Sequence, residues 1–236
     1  MTAALTSAPA ERAGLRLLLS LLGALALVLA AVPLAVLVRL QYAPLIRLDL
    51  AVTAAAERAV EASAPLLAAA KVATLLGEPL LMTGAAAVLA MVLSRRGQGR
   101  LALYVVAARV GALVMSQGLK LAVDRVRPVF DVPVAAALGG SFPSGHALGS
   151  SVFWTTTAVL LVPHVRRPRL LLAAAVAVAV IVAVSRVLLG VHYLSDVVGG
   201  LLLGLGWAAV CTAIFTAWRA EQIRCPVDPV RDGVGA

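Results

Sequence analysis

Long apolar windows constrain the fold of this chain most strongly. Several run for 16 to 22 residues without a charged residue, and a helix of that length, rising about 1.5 Å per residue, crosses most or all of a bilayer core of about 30 Å. The first window has no small-residue cleavage site of the kind that ends a signal peptide, so we expect it to remain in the mature protein as a membrane span. We place six spans at 17–38, 72–94, 101–119, 145–163, 170–186 and 195–218.

The composition supports a polytopic membrane protein. The chain is 62% hydrophobic and 13% charged, whereas soluble domains are about 25% charged. The net charge of +9 does not point to nucleic acid, because the basic residues are scattered between apolar windows and aromatic residues make up only 4%. We expect an all-α fold in one membrane-embedded domain over 1–236, with a core at about 15–219 and short cytoplasmic tails.

The segment between the first two spans predicts a helix that lies on the membrane surface. In residues 48–65, apolar side chains recur every fourth residue, and most charged residues lie off that stripe. The stripe comprises Leu48, Val52, Ala56 and Val60, and the charged residues are Asp49, Glu57, Arg58 and Glu61.

The distribution of cations predicts the orientation. Six spans place both termini on one face, which carries eleven Lys and Arg residues against eight on the opposite face. Cytoplasmic loops are enriched in Lys and Arg, so we expect cytoplasmic termini and an outward-facing opposite end.

Three polar segments are expected to meet at that outer end. In the first, Lys120 and Arg127 are two helical turns apart and would form an anion clamp if the third helix continued that far. The alternative is that these cations, with Arg125, only snorkel to the interface. Arg109, eleven residues before Lys120, is expected to be too deep to join the clamp and to have a structural partner or to snorkel.

The second segment opens the fourth span. It runs Ser141-Phe-Pro-Ser144-Gly145-His146. The free N–H groups of the helix, the hydroxyl of Ser144 and the small Gly145 would suit an incoming phosphate. The alternative is a loop followed by an ordinary helix cap.

The third segment joins the fifth and sixth spans. Arg186 and His192 lie in it, and Asp196 follows His192 by four residues, so a carboxylate could orient the imidazole on one helix face. A satisfied buried pair is the alternative. Two of the three histidines fall in these segments, beside anion-binding groups, which favours a catalytic site.

These segments resemble the type 2 phosphatidic acid phosphatase superfamily. Its signature is K-x6-R-P, then P-S-G-H, then S-R-x5-H-x3-D, and every position is matched. The matching residues are Lys120, Arg127, Pro128, Pro143, Ser144, Gly145, His146, Ser185, Arg186, His192 and Asp196.

The resemblance implies a membrane phosphatase that forms a phosphohistidine. His192 would be the nucleophile, Asp196 would orient it and His146 would act as acid and base. Phosphate would be bound by Lys120, Arg127, Ser144, Gly145 and Arg186. No metal or other cofactor is expected, since carboxylates and histidines form no cluster at metal-ligand spacing. The substrate would be a lipid phosphate or a polyprenyl diphosphate such as undecaprenyl diphosphate, reached from the bilayer.

Other functions and residues remain open at this stage. A lipid phosphotransferase would use the same histidine chemistry, and a non-catalytic lipid carrier is a further alternative. The soluble vanadate-dependent relatives are disfavoured by the six spans. Glu78 could face the headgroup cavity or cap a kink at Pro79, while His164 is expected on the non-catalytic face. Cys211 and Cys225 are expected to be incidental.

Overall fold

The protein is a bundle of helices at every position that the structure describes. The computed structural model describes residues 7–128, 130, 135 and 139–224, with side chains at 14, 18 and 21–217 of that set. Within these residues the helices are α1 (Ser7–Arg39), α2 (Ala43–Glu61), α3 (Ala64–Leu75), α4 (Pro79–Arg95), α5 (Gly99–Val123), α6 (Gly145–Leu161), α7 (Pro168–Leu188) and α8 (Leu194–Arg224).

The six predicted spans are confirmed. Helical segments long and apolar enough to cross a membrane occur at Leu21–Arg39, Ala64–Arg95, Gly99–Val123, Gly145–His164, Pro168–Leu188 and Leu194–Ala217. The second differs most from its predicted bounds, because it begins earlier and consists of α3 and α4 with a break between them. Proline is favoured at the first position of a helix, and Pro79 begins α4 directly after the break. At Gly77 a Cβ atom would lie 2.2 Å from a methyl carbon of Val182, so only glycine fits against α7 there.

The surface helix α2 forms as predicted, and its buried stripe agrees with the predicted one at Ala56 and Val60 only. Its buried residues are Asp49, Thr53, Ala56 and Val60, whereas Leu48 is 50% exposed. The prediction followed a spacing of four residues, while an α-helix repeats every 3.6. Asp49 was therefore wrongly placed off the stripe.

Glycines allow α8 to pack closely against its neighbours. A Cβ atom at Gly204 would lie 2.6 Å from the carbonyl oxygen of Leu148 and 2.7 Å from Cβ of Ser151, both on α6. At Gly206 it would lie 3.2 Å from the carbonyl oxygen of Ala24 on α1. Small residues permit such backbone approach in membrane helix pairs.

Helix ends bring the three polar segments together at one end of the bundle. The end of α5, the start of α6 and the start of α8 meet there, beside α2. Helix α5 does not continue to Arg127, because Asp124 is left-handed with φ of 46° and its N–H donates to the carbonyl of Lys120. The condition under which Lys120 and Arg127 would share one helix face is therefore not met, and the turn after α5 brings Arg127 back to the cavity.

The α6–α8 contact makes a prediction about stability. Gly204→Ala would push a methyl group into the α6 backbone, and overpacking of this kind costs about 1–3 kcal/mol. Gly118→Ala is the matched control, since a Cβ atom on that α5 glycine meets nothing within 4 Å. In detergent, thermal unfolding should show a lower midpoint for Gly204→Ala and an unchanged or slightly raised midpoint for Gly118→Ala. Equal midpoints would contradict the packing.

Candidate active site

A cavity of about 300 Å³ lies between α5, α6, α7 and the break between α3 and α4. Six of the eight predicted site residues line it, and Ser144 and Asp196 lie behind the wall. The six are Lys120, Arg127, Gly145, His146, Arg186 and His192, and Glu78 and Arg109 line it as well.

The contacts of His192 define its tautomer. Its Nε2 lies 3.0 Å from Nη1 of Arg127, and a guanidinium can only donate, so Nε2 accepts. The ring proton is therefore on Nδ1, which faces Oδ2 of Asp196 at 3.5 Å. That separation is longer than a normal hydrogen bond, and such contacts are often long before substrate binds. The lone pair of Nε2 is therefore directed at Arg127, and both residues line the cavity.

Burial keeps His192 uncharged at neutral pH. Its side chain is 2% exposed. Burial, together with the nearby Arg127 and Arg186 and against the opposing effect of Asp196, lowers the pKa of His192 to about 4. Only the neutral imidazole has an unprotonated ring nitrogen, so His192 is in the form that a nucleophile requires.

Asp196 is held by several donors. It accepts from Nη1 of Arg125 at 2.7 Å, from the backbone N–H of Tyr193 at 2.9 Å and from the hydroxyl of Ser141. The expected placement of His192 and Asp196 on one helix face is wrong, since α8 begins only at Leu194. The two side chains still meet, because His192 lies in the turn immediately before the first turn of α8.

Arg127 is fixed by backbone carbonyls rather than by a helix. Its Nε donates to Gly139 at 2.9 Å, and its Nη2 donates to Gly140 at 3.1 Å. Its Nη1 also reaches the carbonyl of Val191 at 2.7 Å. These bonds aim the guanidinium at the cavity.

Lys120 and Arg186 complete the cationic wall. A Cβ atom at Gly145 would lie 3.8 Å from Nζ of Lys120, so the missing side chain leaves space beside the ammonium. Nη1 of Arg186 donates to Thr74 at 2.8 Å, and its buried Nε has no hydrogen-bond partner among the described residues.

Ser144 acts as a helix cap in this structure. Its Oγ accepts from the N–H of Ala147 at 3.4 Å, and its own N–H donates to the carbonyl of Asp196 at 3.0 Å. These contacts agree with the alternative given for the second segment, which was a loop followed by an ordinary helix cap. A role for its hydroxyl in binding phosphate stays a prediction.

Glu78 faces the cavity, which resolves the two options left open for it. Its Oε2 lies 3.2 Å from Nε2 of His146, and its side chain makes no cap hydrogen bond to α4. An ionised carboxylate can only accept, so Nε2 of His146 carries the hydrogen. His146 thus presents a proton at the cavity.

Arg109 is both anchored and part of the cavity wall. Its Nε and Nη2 donate to Oγ1 of Thr83 at 3.1 and 2.8 Å, and its Nη2 donates to the carbonyl of Pro79 at 2.7 Å. The expectation of a structural partner is met. Its depth does not exclude it from the cavity, because Arg109 lines the same cavity as Lys120, and its absence from the phosphate clamp stays a prediction.

Sequence reasoning missed Asp49 and gave no structural role to Arg125. Arg125 contacts Oδ2 of Asp49 at 2.6 Å and Oδ1 of Asp196 at 2.7 Å, and it stacks on the ring of Tyr193 at 4.0 Å. Asp49 also accepts from the N–H and hydroxyl of Ser195 at 2.9 and 2.6 Å. A 3.6-residue repeat applied to α2 would have found Asp49, but nothing in the sequence marks Arg125.

The remaining candidates lie away from the cavity. His164 ends a short 3-10 turn after α6, at the opposite end of the bundle, and Cys211 is buried in α8. Cys225 lies outside the described residues. No group of three His, Cys, Asp or Glu residues in the described part of the chain could hold a metal ion.

Comparisons with known proteins agree with these motifs. A sequence model of the PAP2 superfamily matches residues 100–220. Phosphatidylglycerophosphatase B of Bacillus subtilis is 38% identical over 96 residues, which is 39% of this chain and 47% of that protein. Lipid A 1-phosphatase of Rhizobium etli is 42% identical over 77 residues, or 33% of this chain and 30% of that protein. The matches thus span less than half the length of these relatives.

The fold also has a solved counterpart. A transmembrane PAP2 type phosphatidylglycerolphosphate phosphatase from Bacillus subtilis superposes with a TM-score of 0.74. The sequence identity is 26%, and the match covers 82% of this chain and 96% of that one.

The buried pair of Asp49 and Arg125 makes a second prediction. Asp49→Asn removes one of the two carboxylates that balance Arg125, and breaking a buried ion pair costs about 3–5 kcal/mol. Glu61→Gln, the same change at an exposed position of α2, is the control. The unfolding midpoint in detergent should fall clearly for Asp49→Asn only. A similar small effect in both variants would show that the pair is not needed.

Proposed function

The chain belongs to the PAP2 superfamily, and from this premise we propose that it is a membrane phosphatase that releases the terminal phosphate of a lipid phosphate or lipid diphosphate. The observation that carries the proposal is the geometry of His192. Its ring lines a cavity walled by Lys120, Arg127 and Arg186, and its unprotonated Nε2 lies beside the Arg127 guanidinium.

The first step transfers the phosphoryl group to the enzyme. Nε2 of His192 attacks phosphorus, the bond from phosphorus to the leaving oxygen breaks, and that oxygen takes the Nε2 proton of His146 in its doubly protonated form, which leaves the His146 ring neutral. Asp196 faces the Nδ1 proton of His192 and stabilises the positive charge that develops on the ring.

The second step returns the enzyme to its starting state. His146 takes a proton from water, the water oxygen attacks phosphorus, and the bond from phosphorus to nitrogen breaks. Inorganic phosphate leaves, and His146 is again protonated for the next turnover.

Charge stabilisation is assigned to the cations and to the start of α6. Phosphoryl transfer is accelerated chiefly by groups that hold the three equatorial oxygens. Lys120, Arg127 and Arg186 line the cavity for this purpose, with the N–H groups near Gly145 at the helix start. This mechanism requires no metal ion.

The substrate class follows from the membrane setting and from the relatives. Two relatives are named for lipid phosphates, phosphatidylglycerophosphate and lipid A. A phosphotransferase would use the same histidine but pass the phosphoryl group to an alcohol, so release of inorganic phosphate separates the two. The buried pair of His192 and Asp196 argues against a carrier without catalysis, because such a carrier would not need an oriented imidazole.

We assign the site to the outer face of the cell membrane. The three motifs lie at the end of the bundle opposite to the turn after α6, which carries Arg166 and Arg167. The positive-inside rule places that turn in the cytoplasm, with both termini. With this orientation, the single membrane domain proposed for residues 1–236 carries its catalytic site at the outer end of the helix bundle.

The two histidines should differ when a phosphoenzyme is trapped. With an activated aryl phosphate, the leaving group needs little protonation, so His146→Ala should pass the first step but lack the base for the second. It should accumulate an acid-labile, base-stable phosphohistidine, detected by ³²P label on the protein. His192→Ala has lost the attacking nitrogen and should show no label, like the double variant.

The control for this experiment is His164→Ala, which removes the histidine at the far end of the bundle. It should turn over normally and trap nothing. Label on His192→Ala would reverse the two assigned roles, and absence of label from every variant would refute a phosphohistidine.

Activity should not depend on a divalent metal. Because the cations of the site supply the charge, phosphate release from phosphatidic acid should be unchanged in excess EDTA. Orthovanadate, which resembles the trigonal transition state, should inhibit. Loss of activity in EDTA with recovery in magnesium would overturn the proposed mechanism.

A further inference from the structure

Arg109 is a buried cation that none of the steps above uses. Its side chain is in the membrane-spanning helix α5 and is 5% exposed. Its partners, Thr83 and the carbonyl of Pro79, are neutral, and Nη1 makes no hydrogen bond within the described residues. Ionisable groups inside a membrane are costly and commonly mark a functional path.

Gly149 makes room for this guanidinium at the cavity. A Cβ atom there would lie 2.8 Å from Nη1 of Arg109. One helical turn nearer the outer face, a Cβ atom at Gly145 would lie 3.8 Å from Nζ of Lys120. The two positions on α6 are about 6 Å apart. Lys120 and Arg109 therefore reach neighbouring levels of one cavity, although eleven residues separate them on α5.

The charges lining the cavity exceed what one phosphate can balance. Its wall holds four cations, Lys120, Arg127, Arg186 and Arg109, and one carboxylate, Glu78. With His192 counted as neutral and His146 as protonated, as the first step requires, the net charge is about +4. A phosphomonoester carries about −1.5 to −2 at pH 7. A second phosphate group would supply the missing negative charge.

The direction of the reaction places that second group at Arg109. His146 protonates the leaving oxygen in the proposed mechanism, and Gly149 lies three residues further along α6, on the same helix face. The leaving group therefore extends past His146 toward Gly149 and Arg109. This is also the direction into the bilayer, where the lipid chain must go.

We propose that Arg109 forms a second anion subsite, which binds a phosphate group within the leaving group itself. The subsite selects lipids with two phosphate groups, either as a diphosphate or as a phosphodiester that ends in a phosphomonoester, over lipids with a single phosphomonoester. This inference rests on the proposed phosphatase function and deepens it to a substrate class.

The test compares three substrates in detergent: phosphatidic acid, a polyprenyl diphosphate and phosphatidylglycerophosphate. The wild-type protein should show a higher kcat/KM for at least one of the two-phosphate lipids. Arg109→Gln should lower that preference about 10-fold or more, while its rate on phosphatidic acid changes little. Arg109→Lys should keep part of the preference. Arg96→Gln, an exposed cation at the end of α4, is the control and should leave all three rates unchanged.

Each outcome decides a point. Selective loss on the diphosphate or on phosphatidylglycerophosphate identifies which lipid uses the subsite. An equal fall on all three substrates, or no change, overturns the subsite and leaves the phosphatase function standing. Failure of the wild-type protein to hydrolyse any of them refutes the proposed function instead.

A measurement on the wild-type protein covers the case in which Arg109→Gln does not fold. An alkyl methylenediphosphonate should bind about 10-fold or more tightly than the alkylphosphonate of the same chain, as measured by calorimetry in detergent. Equal affinities would overturn the subsite even if the protein hydrolysed no lipid.

Discussion

The bridge that Arg125 forms between Asp49 and Asp196 is the interaction on which the catalytic end depends. It joins surface helix α2 to the first turn of α8, with both contacts below 3 Å. The attraction between buried charges offsets the cost of removing them from water only when every charged group is paired and hydrogen-bonded. Asp196 meets this condition, because it also accepts from the hydroxyl of Ser141 and the N–H of Tyr193. Since Asp196 in turn faces His192, the position of a surface helix and the orientation of the proposed nucleophile are set by one network.

Close helix packing holds the cationic side chains of the site in fixed positions before the substrate binds. Gly204 brings α8 onto the backbone of α6, and backbone carbonyls rather than flexible contacts hold Arg127. Groups that are already oriented need no reorganisation when charge develops on a transferring phosphoryl group. The glycines therefore contribute to the proposed chemistry as well as to the packing, although none of those on α8 lines the cavity.

The sequence predicts the features that depend on length and spacing, and it fails where side chains cross between elements. Window length located the six spans, and the motif spacing brought Lys120, His146 and His192 to one cavity. The condition given for Arg127 is not met, since Asp124 ends α5 and the turn returns the chain. The separation of Arg109 from Lys120 was judged from the rise between their α-carbons. Helical side chains tilt toward the N-terminus of the helix, so the side chain of Lys120 extends toward Arg109. Asp49 was missed because a spacing of four drifts off the true stripe of α2.

The break between α3 and α4 shows why the irregular part of this bundle coincides with its cavity. Helix irregularities free backbone groups that a bilayer cannot satisfy, so they persist only where protein or a polar cavity does so. Here Trp154 donates to the carbonyl of Leu76, at the end of α3. The same break directs Glu78 to His146. A continuous second span would move the Glu78 carboxylate away from the proposed acid, so the break serves the site as well as the fold.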